Sequence, residues 1–129
     1  MINSIMNNIT KYMLTVLLGI VSGIFGGGLG LGVTTLALPG FLLLGLVPNS
    51  KAAIGTTLVS SPASWPAVYK YYKEGYSNIT LGVIYVICYS IFSFVGAKIN
   101  AGISETVTKY LVSAVHFIVG LYFLYKARN

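Results

Sequence analysis

The sequence predicts an all-α protein, a polytopic bundle of transmembrane helices whose first helical hairpin is broken by glycines. Three observations predict this fold class. Hydrophobic residues make up 56% of the 129 residues and charged residues only 8%, whereas a soluble domain carries about 25% charged residues. The charges stand between long apolar stretches, as loop residues do in membrane proteins. Seven glycines fall within residues 23–40, inside the first of these stretches.

The positions of the charges divide the chain into five apolar segments within a single transmembrane domain, residues 1–129. A membrane span needs about 20 apolar residues. The uncharged stretch between Lys11 and Lys51 is too long for one span, so it forms two segments around a glycine-rich break. A stretch rich in hydroxyl groups follows, and then two uninterrupted spans. The predicted segments are residues 12–26, 33–47, 52–69, 79–97 and 110–125.

The charged and reactive residues exclude several functional classes. The net charge is +6, but the basic residues are scattered between apolar runs, which predicts no nucleic-acid partner and instead favours contact with the lipid bilayer. Cys88 is the only cysteine, so it can form neither a disulfide within the chain nor a cysteine-based metal site. With no nucleophile–base pair and no metal cluster, we expect no enzyme and no cofactor. We expect a multi-pass integral protein of the cell membrane.

The glycine run allows two interpretations. Glycines at i, i+4 spacing, such as Gly19 and Gly23, let helices pack closely. Five glycines within residues 26–32 instead weaken a helix, and secondary transporters aim the ends of such broken helices at their substrate. A helix restarting at Val33 would present free N–H groups that suit an anion. The predicted anion-binding residues of this element are Gly30, Gly32, Thr34 and Thr35.

A second candidate element lies in residues 53–69. On a helix, Thr56, Ser60 and Ser64 share one stripe. Such a stripe either forms hydrogen bonds between helices or lines a substrate path. Pro62 has no N–H to donate, so we expect a kink or a break there. The predicted binding residues of this element are Gly55, Thr56, Thr57, Ser60 and Ser61.

Acidic residues are absent from the predicted spans. Glu74 and Glu105 both lie outside these spans, whereas exchangers of cations for protons need a carboxylate within the membrane. His116 is the one ionisable residue at depth, and hydrogen-bonded packing is a commoner role for such a histidine than a proton relay. The sequence therefore favours a small anion as the substrate.

An ordered set of motifs resembles the TauE/SafE sulfite exporter family of membrane permeases. The set comprises G-x-x-G-x-G at residues 27–32, then Pro39 and LLLGL at 42–46, AIGTTL at 53–58 and YKEG at 72–75. Val33 and Thr34 stand where the family continues its glycine run. The resemblance implies transport of sulfite, sulfonates or related organic anions. Family members are about twice this length with two related halves, so the chain resembles one half of an inverted-repeat transporter.

A site between two repeats requires a second repeat, so we expect a homodimer or a pairing with a second half-transporter chain. If residues 12–47 enter the membrane and return to the same side, and each later segment crosses it, four Lys or Arg residues face each side of the membrane. That balance gives no preferred orientation and permits an antiparallel homodimer. If residues 12–47 cross once, the balance is five against three. The alternative functions are a non-transporting assembly or accessory subunit and a small multidrug-type exporter.

Overall fold

Six α-helices and two short 3-10 helices make up the part of the chain that the structure describes. The computed structural model describes residues 2–31 and 33–128, with side chains from residue 7 onward. Helices Asn7–Leu29, Ile79–Asn100 and Glu105–Arg128 are long and apolar enough to cross a membrane. The predicted all-α membrane bundle is therefore confirmed. The helices are α1 (Ile2–Leu29), α2 (Val33–Leu43), α3 (Ser50–Thr57), α4 (Trp65–Lys73), α5 (Ile79–Asn100) and α6 (Glu105–Arg128).

Helices α1 and α5 pack in parallel through a row of glycines. A Cβ placed on Gly19 would lie 2.7 Å from the Cβ of Cys88, and one placed on Gly28 would lie 3.0 Å from the carbonyl oxygen of Gly96. The contacting residue numbers rise together along both helices, so the two helices run in the same direction. Small residues allow this close approach of two backbones in a membrane.

The glycine-rich break is shorter than the sequence suggested. Helix α1 continues to Leu29, past the predicted end of the first segment at residue 26. Gly27 is helical and lies so close to α5 that a Cβ there would collide with the backbone of Ser93. Packing against α5 therefore outweighs the low helix propensity of glycine. Among the described residues of the link, the backbone leaves the helix at Gly30, where φ is +69°.

Residues 50–73 form a re-entrant hairpin rather than a span. Helix α3 ends at Thr57, two 3-10 turns (Leu58–Ser60 and Pro62–Ser64) reverse the chain, and α4 returns. Asn49 precedes the hairpin and Gly75 follows it, and both residues line the same cavity. Helices of eight and nine residues reach only about 12–14 Å, too short for a bilayer core of about 30 Å. The predicted stripe on one continuous helix does not form.

The hairpin decides where the charges lie. Lys11 and Asn78 line one cavity, and helices α1 and α5 run away from it. Helix α6 runs back towards this cavity, because Tyr122 near its C-terminus lines a second cavity together with Leu18 and Leu43. Both predicted charge balances assumed that residues 52–69 cross the membrane, whereas the hairpin brings Asn49 and Gly75 to the same cavity. Six of the eight Lys and Arg residues lie at this end, which we call the basic end: Lys11, Lys51, Lys70, Lys73, Lys126 and Arg128.

A small apolar core fills the space between α1, α2, α3 and α5. Phe41, Ala53, Leu81 and Tyr85 are buried in it, and the rings of Phe41 and Tyr85 lie 5.6 Å apart. Helix α6 stands at the outside of the bundle, and none of its residues Glu105–Arg128 is buried. The apolar side chains of α6 are therefore left for lipid or for another membrane chain.

Candidate functional site

A cavity of about 740 Å³ opens at the basic end. We call it the vestibule. Its volume falls within the range of small-molecule sites, about 300–1,000 Å³. The helix arrangement creates it, because α3 and α5 start here, α4 ends here and α1 passes it at Lys11. The vestibule is lined by Lys11, residues 46–49, Ala52, Thr56, Tyr72 and residues 75–80.

The lining of the vestibule favours negative charge. Lys11 is the one charged residue among the lining residues, and none of them is acidic. Helices α3 and α5 also point their N-termini at the vestibule, and each is capped by an asparagine. The side-chain oxygen of Asn49 accepts the N–H of Ala52 at 2.9 Å, and that of Asn78 accepts the N–H of Leu81 at 3.1 Å. Helix N-termini carry partial positive charge.

Thr56 joins the re-entrant hairpin to the start of α5. Its buried hydroxyl oxygen accepts the N–H of Asn78 at 3.1 Å. Beside it, the hydroxyl of Ser77 donates to the carbonyl of Gly55 at 2.8 Å. Gly55 is buried, and a Cβ there would lie 2.8 Å from the carbonyl oxygen of Tyr76. These contacts hold α3 against the loop that precedes α5.

The other hydroxyl groups predicted in this element serve the hairpin itself. Thr57 is buried and donates to the carbonyl of Ile54 at 3.1 Å. Ser60 donates to the carbonyl of Thr57 at 2.6 Å. Ser61 has an extended backbone ahead of the second 3-10 turn. Thr57 and Ser60 thus bond to backbone carbonyls where the helix ends, which is a common use of hydroxyl side chains.

The predicted residues of the glycine run lie elsewhere in the bundle. Gly30 is exposed in the link between α1 and α2, and Thr34 and Thr35 are half-buried in the first turn of α2. Gly32 lies outside the described residues. Of the predicted residues that the structure describes, Thr56 alone lines the vestibule. The apolar core around Phe41 and Tyr85 lies between the two groups.

Two tyrosines of α5 hold the link between α1 and α2. The hydroxyl of Tyr85 donates to the carbonyl of Val33 at 2.7 Å, and that of Tyr89 donates to the carbonyl of Leu31 at 3.0 Å. Irregular backbone inside a membrane needs such partners. Sequence reasoning missed both residues. The signal was present, because tyrosines usually stand at the ends of a span, whereas this pair lies four residues apart near the middle of one.

His116 has no place in the vestibule. It lies on the exposed face of α6, and its Nδ1 atom is 2.8 Å from the carbonyl oxygen of Val112. This contact is to the preceding turn of its own helix, so it tests neither of the two roles predicted for this histidine.

A membrane helix bundle with an interrupted helix, a hairpin that turns back and a polar cavity is typical of secondary transporters. A family model described as sulfite exporter TauE/SafE matches residues 15–129. The chain belongs to this family, whose members are multi-pass membrane transporters and not enzymes. The predicted family and the prediction that the protein is not an enzyme are both confirmed. No curated protein and no solved structure gives a significant match.

Proposed function

We propose that this chain is a half-size permease for small anions such as sulfite, sulfonates or related organic anions. One observation carries the proposal: the vestibule combines a lysine with two helix N-termini and has no acidic residue in its lining. An anion is stabilised by such surroundings and a cation is repelled. Transport proceeds by alternating access and involves no covalent step.

Lys11 and Thr56 have different roles in this proposal. Lys11, which is exposed on the first helix, attracts the anion to the vestibule. Thr56 lies buried at the hairpin and accepts a hydrogen bond from Asn78, so its own O–H group can donate to the anion. Together with the hydroxyl of Thr80, which also lines the vestibule, it replaces part of the anion's hydration shell.

The apolar core acts as the closed barrier of the pathway. Phe41 and Tyr85 are both 0% exposed and separate the vestibule from the first turn of α2. When α2 moves relative to α5, the anion reaches the groups that the glycine run supplies. We propose that these groups are Gly30, Gly32, Thr34 and Thr35, whereas Gly55, Thr57, Ser60 and Ser61 shape the hairpin that carries Thr56.

A complete site requires a second half of the transporter. We propose that this half comes from a second copy of the chain or from a different half-transporter sequence. The exposed apolar faces of α5 and α6 provide the area for this contact. Phe94 and Phe117, for example, are 64% and 69% exposed.

Counter-flow in proteoliposomes tests the proposal. Vesicles loaded with sulfite, an alkylsulfonate or a carboxylate are compared with vesicles loaded with a lipophilic cation. We expect flux of the anions, and flux of the cation alone would contradict the proposal. Thr56→Val should abolish anion flux, whereas Thr56→Ser, which keeps the hydroxyl, should retain much of it.

A matched pair of lysine variants tests the role of the vestibule. Lys11→Gln should raise the half-saturating anion concentration about threefold to tenfold, as expected for the loss of one charge near a protein surface. Lys98→Gln removes an exposed charge at the opposite end of α5 and should leave that concentration unchanged. Equal effects of both variants would place the anion site outside the vestibule.

A further inference from the structure

The two ends of the bundle differ strongly in charge. All six Lys and Arg residues of the basic end are exposed. The opposite end has only Lys98 and Lys109, and Glu105 forms an ion pair with Lys109 at 3.0 Å. Tyrosines accompany the basic residues: the Nζ of Lys73 lies 4.7 Å from the ring centre of Tyr69. Lysines and tyrosines of this kind are typical of the interface with anionic head groups.

Connections between the membrane helices are short at both ends. Residues 44–49 and 74–78 connect helices at the basic end, and residues 101–104 connect α5 to α6 at the other. Lys and Arg residues in or beside such short loops determine the orientation of a membrane protein, and they remain in the cytoplasm. We infer that the chain inserts in one orientation, with the basic end and the mouth of the vestibule in the cytoplasm.

This orientation has two consequences, which rest on the proposed function. Anions in the cytoplasm enter the vestibule directly, so the structure is the inward-open form of the half-transporter. Helix α1 starts and helix α6 ends at the basic end, so a second copy of the chain inserts the same way up and supplies a parallel half rather than an inverted one.

Labelling of single cysteines tests the orientation without any measurement of flux. In a Cys88→Ala background, one cysteine is placed before the hairpin (Pro48→Cys), one after it (Glu74→Cys) and one at the far end (Gly102→Cys). Intact cells are treated with a membrane-impermeant maleimide before and after permeabilisation. We expect label on Gly102→Cys in intact cells and label on Pro48→Cys and Glu74→Cys only after permeabilisation.

Each other pattern overturns the inference. Label on Pro48→Cys and Glu74→Cys at opposite faces would mean that residues 50–73 cross the membrane. Label on about half of the Gly102→Cys molecules in intact cells would mean insertion both ways. Neither labelling result depends on transport, so failure of the inferred orientation can be distinguished from failure of the proposed transport function.

Moving positive charge from the basic end to the opposite end tests whether these charges cause the orientation. Lys51→Gln, Lys70→Gln and Lys73→Gln together reduce the basic end to three Lys and Arg residues, and Ala101→Lys raises the other end to three. We expect Gly102→Cys to become partly protected in this variant. The matched control carries Lys→Arg at the same three positions and Ala101→Gln, and should keep the original labelling. Unchanged labelling of the relocated variant would refute charge as the cause.

Discussion

Replacing Gly23 with alanine tests whether the glycine face of α1 holds this helix against α5. A Cβ on Gly23 would lie 2.7 Å from the carbonyl oxygen of Tyr89 and 3.0 Å from its Cα. Both are backbone atoms, so no side-chain rotation can relieve the contact. Ordinary van der Waals contact begins at 3.4 Å, so the two helices must separate by about 0.7 Å at this point.

A separation of this size has a predictable cost. A gap of about 0.5–1 Å removes a quarter to a half of the attraction between each pair of packed atoms. Extra methyl groups in well-packed cores cost about 1–3 kcal/mol. We therefore expect Gly23→Ala to lower the free energy of unfolding by about 2 kcal/mol, which reduces the ratio of folded to unfolded protein about thirtyfold.

Reversible unfolding in mixed detergent micelles, followed by circular dichroism, measures this loss. Gly120→Ala on α6 is the matched control, because a Cβ there meets no atom within 4 Å. It should leave stability unchanged or raise it slightly, since alanine favours helix. If Gly23→Ala is as stable as Gly120→Ala, the glycine face does not hold the two helices together.

Two further predictions concern the link between α1 and α2. Tyr85→Phe removes the donor to the carbonyl of Val33 and should lower the free energy of unfolding by about 1–3 kcal/mol. Tyr110→Phe, at a 73% exposed residue, is its control, and equal stability of both variants would contradict the role of this bond. Gly30→Ala should cost about 1–2 kcal/mol, because alanine avoids the left-handed backbone at φ +69° although its Cβ meets no atom within 4 Å. Gly30→Asn should recover part of this loss in the same unfolding assay, and an asparagine variant no more stable than Gly30→Ala would refute backbone strain as the cause.

The last two spans could be predicted well from the sequence. Residues 79–97 and 110–125 correspond to α5 (Ile79–Asn100) and α6 (Glu105–Arg128). Hydropathy is a sum over neighbouring residues, and a span must satisfy its own backbone hydrogen bonds. The local sequence is therefore sufficient to predict these two helices, although their polar end turns extend beyond the predicted apolar segments.

The glycine run shows where local reasoning fails. Helix propensity predicts a weak helix over residues 26–28, yet these glycines continue α1 because α5 packs against them. The partner residues Ser93 and Gly96 lie more than sixty positions away in the chain. Sequence reasoning recognised that small residues could pack, but it could not tell how far along the run the second helix would follow.

Only part of the candidate site could be predicted from the sequence, for the same reason. The hydroxyl-rich stretch supplied Thr56, which lines the vestibule, but Lys11, Asn49 and Asn78 were not among the predicted residues. Lys11 comes from α1, whereas Asn49 and Asn78 are the N-caps of α3 and α5, and the three residues meet only when the hairpin folds back. No motif in the sequence has that spacing, so this grouping could not be read from a single stretch of chain.

The sequence by itself determined that this protein is an all-α membrane transporter of the TauE/SafE family, because composition and ordered motifs are properties of the chain. The tertiary structure decided the path of residues 50–73 and hence the end at which each charge lies. Bonds between Thr56 and Asn78, and between Gly55 and Ser77, join residues 22 positions apart and turn a predicted span into a hairpin. Such long-range contacts cannot be read from local hydropathy. Here they place six of the eight Lys and Arg residues at one end of the bundle, where the sequence predicted a nearly even division.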